Sequence, residues 1–393
     1  MKLVFLTSLV PVQKPKSGYD IANRVVVDGL RALGIQVRII GYLTPGQAPA
    51  YPDETIVLDE LEVTNSKVGK LQKLKWLWLA LSTGTPVSVA KMLQTSPEDF
   101  RSALEECRPF DGVFLNSVQL PGAFLGQLSE ENSVFLAHNV ESETAYKNAM
   151  NATNVLSALL FKREAKLLKG VEDQLCRQAQ HVFTLANSDR QGLGVEDKSS
   201  YLPLVTTFEP RSQTETKDYQ YDLGMIGSWS WAANRSGLDW FLAEIAPEIP
   251  DMKIAVAGNI SNIPSDAPKN VEFLGRVEDA QDFVNSCKII PLISREGTGV
   301  QLKTLETFEM GLPTVATESS LRGIDQLPPN CVVADEPGEF AAALKDLIKR
   351  AENGETLVID GQDFHQEQRK KLLTYLEFGL KPLQPSSKEL QPS

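Results

Sequence analysis

A chain of 393 residues with 42% hydrophobic and 23% charged residues has the make-up of a globular protein, and its length exceeds what one core normally organises, so two domains are expected. Residues 1–210 hold 21 Lys and Arg against 23 Asp and Glu, while residues 211–393 hold 18 against 28, so the net charge of −12 divides as −2 and −10. That balance excludes a nucleic-acid-binding basic field, most firmly in the second half, and leaves the near-neutral first half as the better face for an anionic surface.

In chain order, MKLVFLTSLVPV has the length and single Lys of a short secretory leader, but a polar loop and an amphipathic helix follow it. That context favours a first buried strand over Lys2–Leu9. Next come a helix over Asp20–Leu33 and strands over Gln36–Gly41, Thr55–Leu58, Gly112–Leu115 and Ser133–Ala137. A long amphipathic helix over Leu160–Ala179 and a strand over His181–Leu185 complete the first half. Alternation of this kind predicts a parallel sheet with helices on both faces. Residues 206–219 carry Pro210, several Thr and Glu and no apolar period, and read as a linker. Beyond it, strands are expected at Leu223–Ile226, Lys253–Ala257, Val271–Leu274, Ile289–Ile293, Thr314–Thr317 and Val332–Ala334, with helices between them.

The fold class that follows is α/β, with two doubly wound, Rossmann-like parallel-sheet domains facing each other. The expected divisions are an acceptor-side domain over 1–205, the linker 206–219, a donor domain over 220–362, a C-terminal helix over 363–380 and a mobile tail over 381–393. Two such domains in series place a ligand cleft at the carboxyl ends of their strands. No run of about 18 apolar residues occurs, so no spanning segment is expected. Cys107, Cys176, Cys287 and Cys331 lie far apart, with neither a CxxC pair nor metal-ligand spacing. They predict no disulfide framework and no zinc site, and fit a reducing, cytoplasmic setting.

Residues 67–81, KVGKLQKLKWLWLAL, set Lys67, Lys70, Lys73 and Lys75 beside a stripe of Leu71, Leu74, Trp78 and Leu81. Two readings stay open: a helix whose stripe is core, or a basic amphipathic helix lying on an anionic membrane.

The most informative stretch is PLISREGTGVQLKTLETFEMGLPTVAT, from Pro291 to Thr317. It reads as strand, glycine loop, helix and strand, a unit whose helix start offers free N–H groups to an anion. Lys303 can reach a diphosphate, and Glu306 follows at i+3 on nearly the same face, where a carboxylate can bind sugar hydroxyls. An ordinary solvent-facing ion pair has the same spacing.

These residues carry a resemblance. Lys303, Leu305, Glu306, Gly311, Pro313, Val315, Ala316 and Thr317 fall on a pattern similar to the signature region of the retaining nucleotide-sugar glycosyltransferases of family 4 (glycosyltransferase group 1), which have the GT-B architecture. HNVE (His138–Glu141) after a strand, and MIGSWSWAANRSGLDWF (Met225–Phe241) after the linker, resemble further motifs of that family. The resemblance spans roughly Met1 to Ala351.

It implies a transferase that uses a UDP- or GDP-linked sugar as co-substrate, with no other cofactor and no metal. The acceptor is then a glycan or a lipid-linked hydroxyl, as in polysaccharide or glycoconjugate synthesis. By the same resemblance His138 is the catalytic-site residue, and Gly227, Ser228, Arg235, Thr298, Gly299, Lys303 and Glu306 hold the donor. Gly18 and Glu141 lie on the acceptor side. Thr298 stands where the family has its first motif carboxylate, with Glu296 two residues earlier, and the basic pair common after Ser228 is missing. Those departures keep a second reading in view: a nucleotide-sugar-binding protein that kept the fold without turnover. Trp229 and Trp231 read as packing residues, His181 as structural, and His365 as lying in the tail.

Overall fold

The computed structural model describes all residues except 16, 65–66, 207–218, 261, 298 and 385–393. The chain forms two compact units, one of residues 1–207 with 369–393 and one of residues 208–368. Both are built on open, wholly parallel sheets.

Unit 1 contains β1 (Lys2–Leu9), β2 (Gln36–Leu43), β3 (Thr55–Glu60), β4 (Gly112–Asn116), β5 (Ser133–Ala137), β6 (His181–Thr184) and β7 (Ser199–Tyr201), in the order β3-β2-β1-β4-β5-β6-β7. Lys2–Leu9 is thus an inner strand, paired on both sides, and residues 3–6 are at most 1% exposed. An apolar run buried on both faces is what a parallel sheet demands of its middle. The strand order reverses at β1, so the ends of β1 and β4 diverge there, the usual place for a ligand in such sheets. Short β7, SSY, was not expected, because it has no apolar run and pairs only with β6.

Unit 2 contains β8 (Tyr221–Ser228), β9 (Ile254–Asn259), β10 (Val271–Gly275), β11 (Cys287–Leu292), β12 (Thr314–Ala316) and β13 (Cys331–Val333), in the order β10-β9-β8-β11-β12-β13. Its switch point lies between β8 and β11, which places the glycine loop after β11 beside the turn after β8. Close approach is paid for with glycine: Gly258 has φ +109°, and a Cβ there would lie 1.9 Å from the Gly227 carbonyl oxygen.

The C-terminal helix is Gln362–Leu380, and its residues from 369 onward belong to unit 1. There Leu376 lies against Gly29, and Gly379 against Phe183 and His181. The tail expected to be mobile from 381 starts instead with an ordered turn, Lys381–Leu383, whose Leu383 is buried against Gly112. Apolar contact outweighs the Pro and Ser content that suggested mobility, while residues 385–393 of that expectation lie outside the described residues. His365 is likewise no tail residue: its Nδ1 lies 3.0 Å from the buried Glu309 carboxylate. His181 is structural, buried with its Nε2 2.8 Å from Ser200 Oγ. Of the linker 206–219, only Thr206 and Tyr219 are described.

Gly258→Ala is expected to destabilise unit 2 by about 2–4 kcal/mol, since it adds both a left-handed residue and a clash with backbone. Denaturant unfolding measures this, and a loss within 0.5 kcal/mol, roughly the size of a surface substitution, would contradict the close approach.

Candidate functional site

In unit 2 the helix of the glycine-loop segment starts at Leu302, with Gln301 as its N-cap residue. Lys303 is therefore in the first turn and Glu306 follows one turn on. Both line a cavity of about 330 Å³ together with Met225, Trp229, Asp279 and Gln281, at the small end of the range for ligand pockets. Burial lowers the Lys303 pKa to about 8, and the nearby Arg322 charge adds to the shift. Burial raises Glu306 to about 7, with Glu309 contributing. Among the described residues no carboxylate pairs with Lys303, whose Nζ stands 5.8 Å from the centre of the Trp229 ring. Trp229 is packed as expected, 2% exposed, with its Nε1 donating to the Ala257 carbonyl over 2.7 Å. Trp231, expected to pack as well, is 54% exposed, because the turn after β8 carries it off the sheet.

The glycine loop is held from below. Ser294 N donates to Ser320 Oγ over 2.8 Å, Thr317 Oγ1 donates to the Ser294 carbonyl, and Gln301 Nε2 donates to Ser294 Oγ. Arg322 arrives from the segment after β12 and crosses the loop, donating from Nε to the Gly299 carbonyl (3.3 Å) and from Nη2 to the Glu296 carbonyl (3.4 Å). Gly297, at φ +128°, lies so close to Arg322 that a Cβ would be 2.9 Å from Nη2. Gly299 is also left-handed, at φ +73°. Arg322 escaped the sequence reading because only the fold brings it to the loop. Thr298 lies outside the described residues.

The turn after β8 is arranged differently. Gly227 packs on the Trp229 ring, and the Ser228 carbonyl accepts from Asn234 Nδ2 over 3.1 Å. Arg235 is engaged elsewhere: its Nε donates to Asp239 over 2.7 Å and its Nη1 to the Asn262 carbonyl over 2.8 Å. The structure thus brings Lys303 and Glu306 together, adds Arg322, and ties Arg235 to its own helix.

In unit 1, β1, β4 and β5 end in a polar cluster. Asn116 Nδ2 donates to Asn23 Oδ1 (2.7 Å) and Thr7 Oγ1 (2.9 Å), and all three residues are fully buried. With that amide committed as donor, Asn116 Oδ1 accepts from His138 Nε2 at 2.8 Å, which assigns the Nε2–H tautomer and leaves Nδ1 as an acceptor. Burial lowers the His138 pKa to about 4, so the ring is neutral at physiological pH. Tyr19, the residue after Gly18, lies over the ring at 5.0 Å, and its hydroxyl is 2.9 Å from Thr7 Oγ1 and 3.1 Å from Ser117 Oγ. Ser117 has φ +68°, a strained conformation for a residue with a side chain. Gly18 itself opens its helix behind the Ser17–Asp20 capping box.

Glu141 joins this cluster through Gln119, whose Nε2 donates to it over 3.0 Å and whose Oε1 is 3.4 Å from Ser8 Oγ. The buried Glu172 caps the same helix start, accepting from Glu141 N (2.6 Å) and Ser142 N (3.3 Å). Burial, followed by the Glu172 charge, raises Glu141 to about 7. His138 and Glu141 therefore lie in one polar cluster, which Gly18 adjoins only through its chain neighbour Tyr19. Sequence reasoning missed Tyr19, Asn116 and Ser117, although Thr7-Ser8 and Asn116-Ser117 at the ends of apolar strands were its visible signal.

With the geometry in place, the comparisons are informative. Residues 220–350 match the family model described as Glycosyl transferases group 1. No curated protein matches the chain. Among solved structures, sucrose-phosphate synthase from Thermosynechococcus elongatus superposes with a TM-score of 0.61 at 14% identity, covering 97% of both chains. TarM gives 0.59 at 13% identity, over 98% of this chain and 99% of TarM. Anabaena HepE in complex with UDP and glucose gives 0.59 at 13% identity, over 97% and 99%. At these identities the likeness shows the fold, and that fold is GT-B: two α/β units with parallel sheets of seven and six strands.

Because Glu141 is raised from 4.5 to about 7, the stability it contributes is fully present below pH about 4.5 and lost as pH rises through 7. Glu141→Gln is expected to raise the melting temperature at pH 8 by roughly 2–4 °C and to leave it unchanged at about pH 4, below the unfolded pKa. An equal shift at both pH values, measured by thermal unfolding, would contradict the assignment.

Proposed function

We propose that this chain is a glycosyltransferase that moves a sugar from a UDP- or GDP-linked donor to a glycan or lipid-linked hydroxyl, with retention of configuration and without a divalent cation. The observation that carries the reading is the pairing of Lys303 and Glu306 on one cavity wall, within the segment that matches the group 1 family. The nucleotide-sugar donor is supported by the likeness to HepE, whose structures hold UDP and UDP-glucose. Retention rests on the family resemblance.

Cleaving an anomeric carbon–diphosphate bond develops negative charge on the leaving oxygens. In this reading Lys303 and the N–H groups of the loop and first helical turn meet that charge, and Arg322 holds the loop while adding positive potential. Desolvation strengthens each of these interactions, because little water competes for the charge. Glu306 accepts from the donor ribose hydroxyls. By the family resemblance His138 is the catalytic-site residue, and its neutral ring would act as a hydrogen-bonding group rather than as a cation. Since protein cations supply the neutralising charge, activity in EDTA is expected to equal that with added magnesium.

Donor consumption across a panel of nucleotide sugars tests the assignment. Lys303→Ala is expected to lower kcat/KM by about 10²–10³-fold, and Arg322→Ala by about tenfold. Turnover of the Lys303 variant within threefold of wild type would overturn the donor site. The pH dependence is a separate check with UDP-glucose, whose diphosphate does not titrate in this range. Its affinity should rise as Glu306 ionises near pH 7 and fall as Lys303 loses its proton near pH 8. Glu306→Gln should remove the acid limb and Lys303→Arg the alkaline one.

A second reading, a binding protein without turnover, is favoured by one observation: Arg235 is engaged by Asp239 and Asn262, so the turn after β8 lends its cation to neither phosphate. Calorimetric binding of a nucleotide sugar with neither transfer nor hydrolysis would select it.

A further inference from the structure

The Lys70–Thr83 helix turns the opposite way from the core reading. Its buried residues are Trp76 and Ala80, with Lys91 Nζ 4.6 Å from the Trp76 ring. The stripe faces solvent: Leu71 is 83% exposed, Leu74 61%, Trp78 68% and Leu81 55%. Single exposed apolar side chains are ordinary, but four in register on one helix are not.

A second apolar element stands beside it. The connection between the helices Glu141–Met150 and Val155–Gln178 exposes Met150, Val155, Leu156 and Leu159, with Val155 at 77% and Leu156 at 68%. Just past this elbow the long helix is tied to the end of the Lys70–Thr83 helix and to the residues that follow it. Arg163 Nη2 donates to the Ala80 carbonyl over 2.7 Å and its Nη1 to the Thr85 carbonyl over 3.1 Å. Glu164 accepts from Val87 N at 2.7 Å and Ser88 N at 3.1 Å. Leu159 precedes Arg163 by one turn, roughly 6 Å, so the elbow lies about one turn from the point where the long helix is tied to the C-terminal end of the Lys70–Thr83 helix.

Charge identifies the occupant. Lys67, Lys70, Lys73 and Lys75 accompany the first element, and Lys147, Lys162 and Lys166 the second. Among the described residues only Lys67 has a carboxylate partner, Glu62 at 3.4 Å. On the long helix, Val155, Leu159, Lys162 and Lys166 follow one another at four-, three- and four-residue steps, an apolar tip grading into cations.

We propose that the Lys70–Thr83 helix and the Met150–Leu159 elbow together form a docking surface for an anionic lipid bilayer. Leu156, Leu159, Leu71, Leu74 and Trp78 enter the headgroup boundary while the lysines meet lipid phosphates. A second copy of this chain fits poorly, because its matching face carries the same uncompensated positive charge. An acidic protein would satisfy the lysines but not two apolar tips projecting from separate elements. The inference is independent of the donor site: Lys303→Ala should lower transfer by the same about 10²–10³-fold and leave docking intact.

The test is flotation of the full chain with vesicles of phosphatidylcholine alone or with about one third phosphatidylglycerol, at low and high salt. Wild type should float with the anionic vesicles at low salt and stay behind with neutral ones. Leu156→Glu/Leu159→Glu should weaken flotation at least tenfold, as should Lys70→Glu/Lys73→Glu/Lys75→Glu. All these positions are exposed, so melting temperatures should match wild type, and Leu156→Ser/Leu159→Ser supplies a milder elbow variant if the glutamates unfold the protein. An elbow variant that floats like wild type would overturn the two-element surface. Wild type indifferent to anionic vesicles would overturn docking altogether, as would a dimer in sedimentation that the elbow variant breaks without any vesicle binding.

Discussion

A lysine held away from water, with no carboxylate in ion-pair contact with it among the described residues and an arginine nearby, is the constraint around which unit 2 is arranged. Lys303 reaches that position because β11 ends at the sheet's switch point and the chain then passes through two left-handed glycines before the helix begins. Nothing in such a loop is stable alone. Ser294, Thr317 and Ser320 hold it from the sheet side, and Arg322 bridges two of its carbonyls from the other. The arrangement keeps positive potential where burial weakens screening by water, and the proposed function assigns a diphosphate to it.

Unit 1 solves a different problem with neutral groups. His138, Asn116, Asn23, Thr7 and Tyr19 form a connected network in which the committed amide donor of Asn116 dictates the imidazole tautomer. Fully connected buried polar groups rigidify a site, and the strained Ser117 backbone persists because several partners hold it. A neutral imidazole and a carboxyl that titrates near neutrality suit recognition of hydroxyl-rich molecules better than charge neutralisation does. In the function proposed above, the two units divide the chemistry, with anion stabilisation assigned to one and polar recognition to the other.

Much of this was legible in the chain. Strands buried on both faces are short apolar runs, and Lys2–Leu9, Ser133–Ala137 and Ile289–Ile293 announced themselves in that way. Lys303 and Glu306 were legible because helix spacing puts i and i+3 on one face. What stayed hidden depends on tertiary placement. Arg322 is distant in sequence from the loop it crosses, and β7 has no apolar signal. The Lys70–Thr83 helix shows the limit most clearly: its period fixed a stripe, but Trp76 and Ala80 took the core and sent the stripe outward. Arg235 sat in a plausible motif position, yet an ordinary i,i+4 partner, Asp239, claims it.

The central claim is that the loop from Ser294 into the Leu302–Glu309 helix is where a nucleoside diphosphate binds. Amide hydrogen exchange with and without saturating UDP or GDP measures this directly. Slower exchange concentrated in residues 294–306 is the predicted result. Protection confined to other segments, with 294–306 exchanging as in the free protein, would contradict it.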